Sequence, residues 1–266
     1  MGDISLRALE ILASSDVIAA EDTRNTAHLL SHHGISVGRL MALHQHNERM
    51  AAENITGKLA QGMSIALVTD AGTPAISDPG TLLVQSVREA GFRVIPIPGA
   101  NAALAALSAS GMAASHFLFY GFLPSKASAR RRELEALTHL PYTLVFYEAP
   151  HRILECVADL LAALGSDRRI VFARELTKMF ENIHLCKLSE AADWLNADTN
   201  NLRGEFVLLV SGADVVQEEK EAEAERILAI LIEEVPLKQA VQLAAKISDY
   251  SRNKLYQRAL QLYKQD

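Results

Sequence analysis

The sequence of 266 residues predicts an α/β fold with two α/β domains followed by a small helical module. Over the first 110 residues, short apolar runs alternate with segments of helical periodicity, as in strands joined by right-handed crossovers in a largely parallel sheet. From about Phe117 the apolar runs are stronger and not all of them are separated by helices, which favours a mixed sheet. Two amphipathic segments joined by a four-residue turn end the chain.

The first domain is predicted over residues 1–112. Its first helix is predicted to have Asp3 as N-cap and to end at Ser14-Ser15. Another helix is predicted to have Asp78 as N-cap and Pro79 at N1, and to end at Gly91. The other helices are predicted at 25–33, 48–61 and 101–110, and the strands at 17–20, 64–69 and 93–97. The run at 64–69 is apolar on both faces, as a central parallel strand should be.

The second α/β domain is predicted over residues 113–214. Strands are expected at 117–120, 142–147, 169–173, 182–187 and 206–211, and helices at 128–138, 150–164 and 189–195. An acidic helical linker is predicted at 215–234, because seven Glu against Lys220 and Arg226 give residues 218–234 a charge of −5.

The tail at 235–266 has a charge of +4 and resembles a helix–turn–helix, with helices at 236–247 and 251–263. Its basic residues Arg252, Lys254 and Arg258 could contact phosphates. A helical hairpin docked on the body or on a partner subunit is an equally valid interpretation.

Composition excludes several classes of protein. A hydrophobic fraction of 49% and a charged fraction of 22% are ordinary for a globular protein, and no apolar run reaches the roughly 20 residues of a membrane helix. The N-terminus lacks the pattern of a secretory signal, and Cys156 and Cys186 form no CxxC pair. We therefore expect a cytoplasmic protein. No metal site is predicted, since the paired histidines lack a complete ligand set.

Two glycine-bearing loops follow predicted strands. The loop at 69–80 begins with Asp70, which could accept hydrogen bonds from a ribose or an amine, and Gly72 lets a ligand approach the backbone. The loop at 97–101 is also rich in small residues. Open α/β sheets bind small molecules at this edge, although a structural turn is the alternative for each loop. Neither loop is a GxGxxG signature, and a Walker lysine motif is absent.

Acids and bases stand side by side at three predicted strand ends: 21–24, 147–152 and 174–178. Each set alone could be a helix cap with a salt bridge. Because all three are predicted at the ends of strands, we expect them to converge and to bind a large polar substrate.

Seven ordered motifs resemble one family: Ala-Glu-Asp-Thr-Arg at 20–24, Thr-Asp-Ala-Gly-Thr-Pro-Ala-Ile-Ser-Asp-Pro-Gly at 69–80, Pro-Gly-Ala-Asn at 98–101, Tyr-Gly-Phe-Leu-Pro at 120–124, Tyr-Glu-Ala-Pro-His-Arg at 147–152, Arg-Glu-Leu-Thr-Lys at 174–178 and Gly-Glu-Phe-Val-Leu at 204–208. Their order and spacing resemble the tetrapyrrole methylase superfamily, and within it the bacterial 16S ribosomal RNA cytidine ribose 2′-O-methyltransferases. The resemblance is dense over about residues 2–212 and looser over the C-terminal helices.

The resemblance implies a homodimer that binds S-adenosylmethionine between two domains and methylates a ribose hydroxyl in small-subunit ribosomal RNA, free or in the assembled subunit. It also implies an apolar strand before Gly2, where only Met1 stands in this sequence, so we expect one wall of the cleft to be open. Carried over by motif, the donor-binding residues are Asp70, Ala71, Gly72, Thr73, Pro74, Ser77, Pro98, Gly99, Ala149, Glu205 and Phe206.

A ribose hydroxyl needs its proton accepted in the transition state, and the candidate bases are Glu21, Glu148 and Glu175. The strongest basic cluster, Lys126 with Arg130 to Arg132, is expected to contact RNA. Phe119, Tyr120 and Phe122 could supply a stacking face, although at least two of them are expected in the buried core. The full substrate-binding prediction is Asp22, Arg24, Lys126, Arg130, Arg131, Arg132, His151, Arg152, Arg174 and Lys178.

Two other functions remain open at this stage. A C-methyltransferase of tetrapyrrole precursors would use the same fold, bind a free macrocycle and need no basic tail. A non-catalytic nucleic-acid-binding protein would use the tail but would leave the loops without a purpose.

Overall fold

The computed structural model describes residues 1–36, 38–112 and 115–262 of the chain. The predicted α/β class is confirmed: a parallel sheet, a mixed sheet and a helical C-terminal part follow one another along the chain. Of the predicted segments, residues 113–114 near the expected domain boundary and Tyr263 in the last helix lie outside the described residues.

The first sheet has three parallel strands in the order β2-β1-β3, with Ala20 beside both Ala42 and Val68 at the carboxyl edge. Leucine, isoleucine and alanine side chains from β1 and β3 pack against the surrounding helices. The elements are α1 (Leu6–Ser14), β1 (Val17–Ala20), α2 (Thr23–His32), β2 (Arg39–Ala42), α3 (Glu48–Ala60), β3 (Ile65–Val68), α4 (Thr81–Glu89) and α5 (Ala102–Ala109).

The second sheet has five strands in the order β4-β5-β8-β6-β7, of which only the β4–β5 pair is parallel. The elements are β4 (Phe117–Phe122), α6 (Ala127–Glu135), β5 (Thr143–Glu148), α7 (Ile153–Leu164), β6 (Arg169–Arg174), β7 (Asn182–Lys187), α8 (Leu188–Ala197) and β8 (Phe206–Val210), with short 3₁₀ helices at Pro150–Arg152 and Thr199–Leu202.

Both faces of the central strands β5, β8 and β6 are buried. Side chains alternate along β8, so that Leu208 joins the core with α6, α7 and α8, while Leu209 joins a second core on the opposite face. Helix α5 packs on that second face through Ala106 and Leu107, although it precedes the strands of the sheet in the chain. The loop at 97–101, which leads into α5, therefore ends beside the second sheet.

The C-terminal part consists of α9 (Val215–Glu234), α10 (Leu237–Ser248) and α11 (Arg252–Leu262). These helices share their own core, which includes Leu228, Val241, Tyr250 and Leu255.

Several local predictions were wrong. Ser5 caps α1 in place of Asp3, because the Ser5 hydroxyl accepts from Ala8 N at 3.2 Å. Helix α4 begins after Gly80, two residues later than predicted from Asp78. The predicted strand at 93–97 does not form: it pairs with no strand in the described part of the chain. Strand β2 was not predicted at all, because Arg-Leu-Met-Ala is short and lacks an alternating pattern.

Candidate nucleoside-binding cleft

The carboxyl edge of the first sheet brings Glu21 against Thr69 and Asp70. Because Ala20 and Val68 are paired, the residues after them are neighbours. The Thr69 hydroxyl donates to Glu21 Oε2 at 2.5 Å and the Asp70 amide donates to the same oxygen at 3.2 Å. Asn25 Nδ2 donates to Asp70 Oδ2 at 3.0 Å. One carboxylate thus orients the start of the 69–80 loop.

The two glycine-bearing loops lie in contact. The Thr73 hydroxyl donates to the carbonyl oxygen of Ala100 at 3.1 Å. Gly72 has φ +76°, and a Cβ added there would come no closer than 3.8 Å to another residue, again at Ala100 O. Small exposed residues line this junction: Ala71, Gly72, Pro98, Gly99 and Ala100. They leave bare backbone open to a flat ligand.

A buried carboxylate holds the far end of the 69–80 loop. Glu48, at the start of α3, accepts at Oε1 from the amides of Gly80 at 2.9 Å, Leu82 at 2.8 Å and Leu83 at 3.3 Å. It therefore caps the N-terminus of α4 from another helix. The loop between its anchors is strained, since Ala75 and Ser77 have φ +66° and +64°.

The 69–80 loop also contacts the second sheet. Gly121 in β4 has φ +80°, and a Cβ there would lie 2.9 Å from Ser77 Oγ, so only glycine allows this approach. Burial raises the pKa of Tyr147 in β5, and the charge of the nearby Asp78 adds to this effect. Burial, and then the charge of Glu21, raises the pKa of Asp78. The carboxyl ends of β4 and β5 therefore form the other side of a cleft.

The second sheet places the predicted polar sets at 147–152 and 174–178 on either side of β8. Strand register places Phe206 between Glu148 and Arg174. Glu148 is buried: its Oε1 accepts from Ala149 N at 2.8 Å and lies 3.2 Å from Arg152 Nε. The side chain of Phe206 belongs to the core, so only its backbone is available to a ligand.

The third polar set forms a tight network around Lys178. Its ammonium group donates to Glu175 Oε1 at 2.8 Å and to Glu205 Oε2 at 2.9 Å. The hydrogen bonds from Lys178 and from Glu205 N lower the pKa of Glu175. Glu175 and Thr177 have φ +51° and +64°, and Gly204 has no room for a Cβ beside Glu175 Cγ.

Positive φ angles at non-glycine residues are concentrated in two loops that carry predicted site residues. Of the five non-glycine residues with positive φ in the described part of the chain, four lie in the loops at 75–77 and 175–177. Strain of this kind persists where surrounding contacts enforce it and is frequent at functional sites.

The predicted RNA-contacting cluster is partly wrong. Arg130 is 1% exposed, and its Nη2 pairs with Asp159 Oδ2 at 2.6 Å, so it is a buried structural residue and cannot face RNA. Arg131 also pairs with Asp159 at 2.6 Å, although 63% of its side chain is exposed. Lys126 and Arg132 remain exposed.

The other predicted substrate-binding residues vary in exposure. Asp22 caps α2 and pairs with the exposed Arg24 at 2.6 Å; the hydrogen bond from Arg24 lowers the pKa of Asp22 to about 2. His151 is exposed, whereas Arg152 is 18% exposed and donates to the carbonyl oxygen of Leu123 at 2.7 Å.

Sequence reasoning assigned no role in the cleft to Asn25, Glu48 or Gly121, and gave Asp78 only the role of a helix cap. Glu48 carries no sequence signal, because its contacts come from a helix 32 residues further on. Gly121 could have been noticed as a glycine inside a strand, which often marks a close approach of another backbone or ligand.

The described residues contain no group of three or more His, Cys, Asp or Glu side chains that could hold a metal ion. None of their helices is both long and apolar enough to cross a membrane.

Small residues and acids gathered at strand ends, where the 69–80 loop meets the second sheet, are typical of a small-molecule-binding site in an α/β protein. Residues 1–192 match the family described as Tetrapyrrole (Corrin/Porphyrin) Methylases, and residues 218–262 match the RsmI C-terminal HTH domain. The chain belongs to the tetrapyrrole methylase family and is a methyltransferase.

Two relatives are similar in sequence to this chain over nearly its whole length. It is 50% identical to Ribosomal RNA small subunit methyltransferase I of Escherichia coli O157:H7, an alignment that covers 98% of this chain and 91% of the relative. The protein of the same name from Pseudomonas aeruginosa is 48% identical, over 98% of this chain and 93% of that one.

Solved structures share the fold. The methyltransferase CobJ has a TM-score of 0.61 at 19% identity, covering 80% of this chain and 89% of CobJ. Uroporphyrin-III C-methyl transferase from Thermus thermophilus complexed with S-adenyl homocysteine has a TM-score of 0.53 at 18% identity, covering 80% and 91%.

Proposed function

We propose that the chain transfers a methyl group from S-adenosylmethionine to the ribose 2′-hydroxyl of a cytidine in small-subunit (16S) ribosomal RNA. The observation that carries the proposal is the cleft itself, where two small-residue loops joined by the Thr73–Ala100 hydrogen bond face the carboxyl ends of β4 and β5. The names of relatives that are about 50% identical over nearly their full length support the RNA substrate.

The residues present fit an adenosyl group. At Gly72 and Gly99, no side chain covers the backbone, and the ideal Cβ positions have no neighbour closer than 3.8 Å and 4.0 Å. The carboxylate of Asp70 is exposed at the mouth of the loop, where it could accept hydrogen bonds from ribose hydroxyls. We assign donor binding to residues 70–74, Ser77, Pro98 and Gly99, with Ala149 and the backbone at Glu205-Phe206 on the opposite side.

The bound donor supplies an activated methyl group on a sulfonium. The task of the chain is therefore to hold the two reactants in line, which can be worth up to about 7–11 kcal/mol. Glu48 and Glu21 serve this task by fixing the two ends of the 69–80 loop. The missing side chain at Gly72 leaves its backbone open to the nucleoside, and the missing side chain at Gly121 lets Ser77 approach β4.

Among the three candidate bases, the structure favours Glu21. Glu148 is buried against Arg152, and Glu175 is a poor proton acceptor because Lys178 and Glu205 N stabilise its charged form. Glu21 is partly exposed beside Asp70, and its Oε1 carries neither of the contacts made by Oε2. We infer that Glu21 accepts the proton of the ribose hydroxyl.

RNA is proposed to lie along the exposed basic residues around the cleft. Lys126 and Arg132 follow β4, His151 follows β5, and Arg24 follows β1. Phe122 is 54% exposed and its ring lies 5.5 Å from that of Tyr147, which offers an aromatic face for a base.

Methyl transfer with labelled donor tests the function. We expect label in small ribosomal subunits or their RNA, and none in a porphyrinoid offered to the same enzyme. Glu21→Gln should lower the rate at saturating donor by about 10²–10⁴-fold, while Glu10→Gln, an exposed carboxylate on α1, should not. Label in the porphyrinoid alone would favour a tetrapyrrole substrate. Full activity of Glu21→Gln would show that Glu21 does not accept the proton.

We further propose a cytoplasmic homodimer. Edge strand β7 and the loop before it expose large apolar side chains: Met179, Phe180, Ile183 and Leu185. Apolar side chains gathered at a sheet edge are typical of a protein interface. Light scattering should give a dimer mass, and Phe180→Glu should lower it to that of a monomer.

A further inference from the structure

A cavity of about 500 Å³ lies between the first turns of α10 and α11. Its lining combines two cations, one amide, one phenol and two aliphatic side chains: Lys238, Arg252, Asn253, Tyr256, Leu237 and Val241. A volume of this size is within the roughly 300–1,000 Å³ range of small-molecule sites. It is part of the three-helix unit and contains none of the residues assigned to the cleft.

Three other basic residues of this unit are ion-paired, whereas Lys246 and Lys254 form no ion pair with a described residue. Lys220 pairs with Asp249 at 3.8 Å, Arg226 with Glu223 at 2.8 Å and Arg258 with Glu225 at 2.9 Å. These three positive charges are neutralised by acidic neighbours.

Lys238 and Arg252, in contrast, are exposed and form no ion pair with any residue that the structure describes. Two unpaired cations in one cavity repel each other, so they favour an anionic occupant.

The rest of the lining favours a nucleotide over a simple anion. Tyr256 is 46% exposed and lines the cavity together with Lys238 and Arg252, so its ring is open to a base. The amide of Asn253 can both donate to and accept from base or sugar groups. Leu237 and Val241 supply an apolar wall.

We propose that this cavity binds one nucleotide of a single-stranded stretch of the RNA substrate, with its phosphate at Lys238 and Arg252 and its base against Tyr256. The inference rests on the proposed function for the identity of the polymer. It makes the C-terminal helices a second RNA contact apart from the cleft, and it excludes Arg258, which the sequence had suggested, because Glu225 already neutralises it.

The test is binding of the full chain to a fluorescent single-stranded RNA across a salt series. Removing two phosphate contacts with Lys238→Ala/Arg252→Ala should lower the slope of log affinity against log salt by about 1.4. Tyr256→Ala should weaken binding about tenfold, whereas Tyr256→Phe should keep the wild-type affinity because the stacking face is retained. All three side chains are exposed, so the variants should keep their fold.

The matched control is Lys220→Ala/Arg226→Ala, which removes the same charge from paired residues of the same unit and should leave the slope near that of the wild type. An unchanged slope in the Lys238/Arg252 variant, or a loss equal to that of the control, would overturn the proposal. So would weaker binding to assembled small subunits with unchanged binding to RNA, since the partner would then be a ribosomal protein.

Donor titration of the same variants separates this inference from the proposed function. Wild-type donor affinity with altered RNA binding supports the cavity as an RNA site. If the unmodified chain binds RNA through the cavity but does not bind S-adenosylmethionine, the cavity proposal stands and the proposed function fails.

Discussion

Substitution within the pair Arg130–Asp159, which joins α6 to α7 beside the second sheet, should lower the stability of the chain more than substitution of most other polar contacts. Asp159 accepts from Arg130 Nε and from Arg131 Nε at 2.6 Å each, and Arg130 Nη1 donates to the carbonyl oxygen of Ser125 at 3.2 Å. Burial alone would raise the pKa of Asp159, but the hydrogen bonds from Arg131 and Arg130 lower it. The carboxylate is therefore charged and holds both cations.

Asp159→Ala would remove the 2.6 Å partner of Arg130, whose side chain is only 1% exposed, and would leave only the exposed Glu155 at 3.6 Å to offset the buried charge. Removing one member of a buried pair costs about 3–5 kcal/mol. For a unit of this size, 1 kcal/mol shifts the melting temperature by about 2–4 °C. We therefore expect a loss of about 6–20 °C, measured by calorimetry on the full chain.

The control is Asp167→Ala, whose pair with Lys187 at 3.4 Å is exposed on both sides and should contribute no measurable stability. The double variant Arg130→Met/Asp159→Leu should recover most of the loss, because no unpaired charge stays buried. A melting temperature for Asp159→Ala within 2 °C or so of that of Asp167→Ala would refute the reasoning.

Three other predictions follow from the cleft. Glu48→Ala should lower the free energy of unfolding by about 1–3 kcal/mol and weaken donor binding, since three amides lose their acceptor; the exposed Glu53→Ala on the same helix should do neither. Gly121→Ala should weaken donor binding in calorimetry, because its Cβ would press on Ser77, whereas Gly111→Ala, also at positive φ but in open space, should not. The contacts that lower the pKa of Glu175 stabilise the folded protein above pH 4.5, the ordinary pKa of this group. This contribution is lost as the pH falls through the lowered pKa of the folded state. The difference in the free energy of unfolding between the wild type and Glu175→Gln should therefore shrink below pH 4.5.

Most strands of the second sheet were predictable from apolar runs, and β7 was predictable because polar and apolar residues alternate along it. Residues 182–187 match the observed β7, and the prediction at 206–211 differs from β8 by one residue. The run at 93–97 is also apolar, but it contains Pro96, which cannot donate to a strand ladder, and it pairs with no strand in the described chain. Pairing is a property of the fold, which local pattern does not contain.

The same limit applies to the cleft. The 69–80 loop was predictable from Gly72 and Asp70 following a buried strand. The 97–101 loop follows no strand, so its contact with the first loop, from Thr73 to Ala100, was not predictable from a shared sheet edge. The burial of Arg130 was not predictable, because three consecutive arginines on a helix look alike in sequence, and only the position of Asp159 on α7 separates them. The capping of α4 by Glu48 likewise depends on how two helices pack.

Calorimetric titration of the full chain with S-adenosylmethionine tests the central claim, that the bare backbone at Gly72 forms the floor of an adenosyl site. We predict binding by the wild type and at least tenfold weaker binding by Gly72→Val. Gly91→Val, which has a similar φ of +83° and equally open surroundings away from the cleft, should bind like the wild type. Equal affinity of Gly72→Val and the wild type, or no binding by either, would contradict the account.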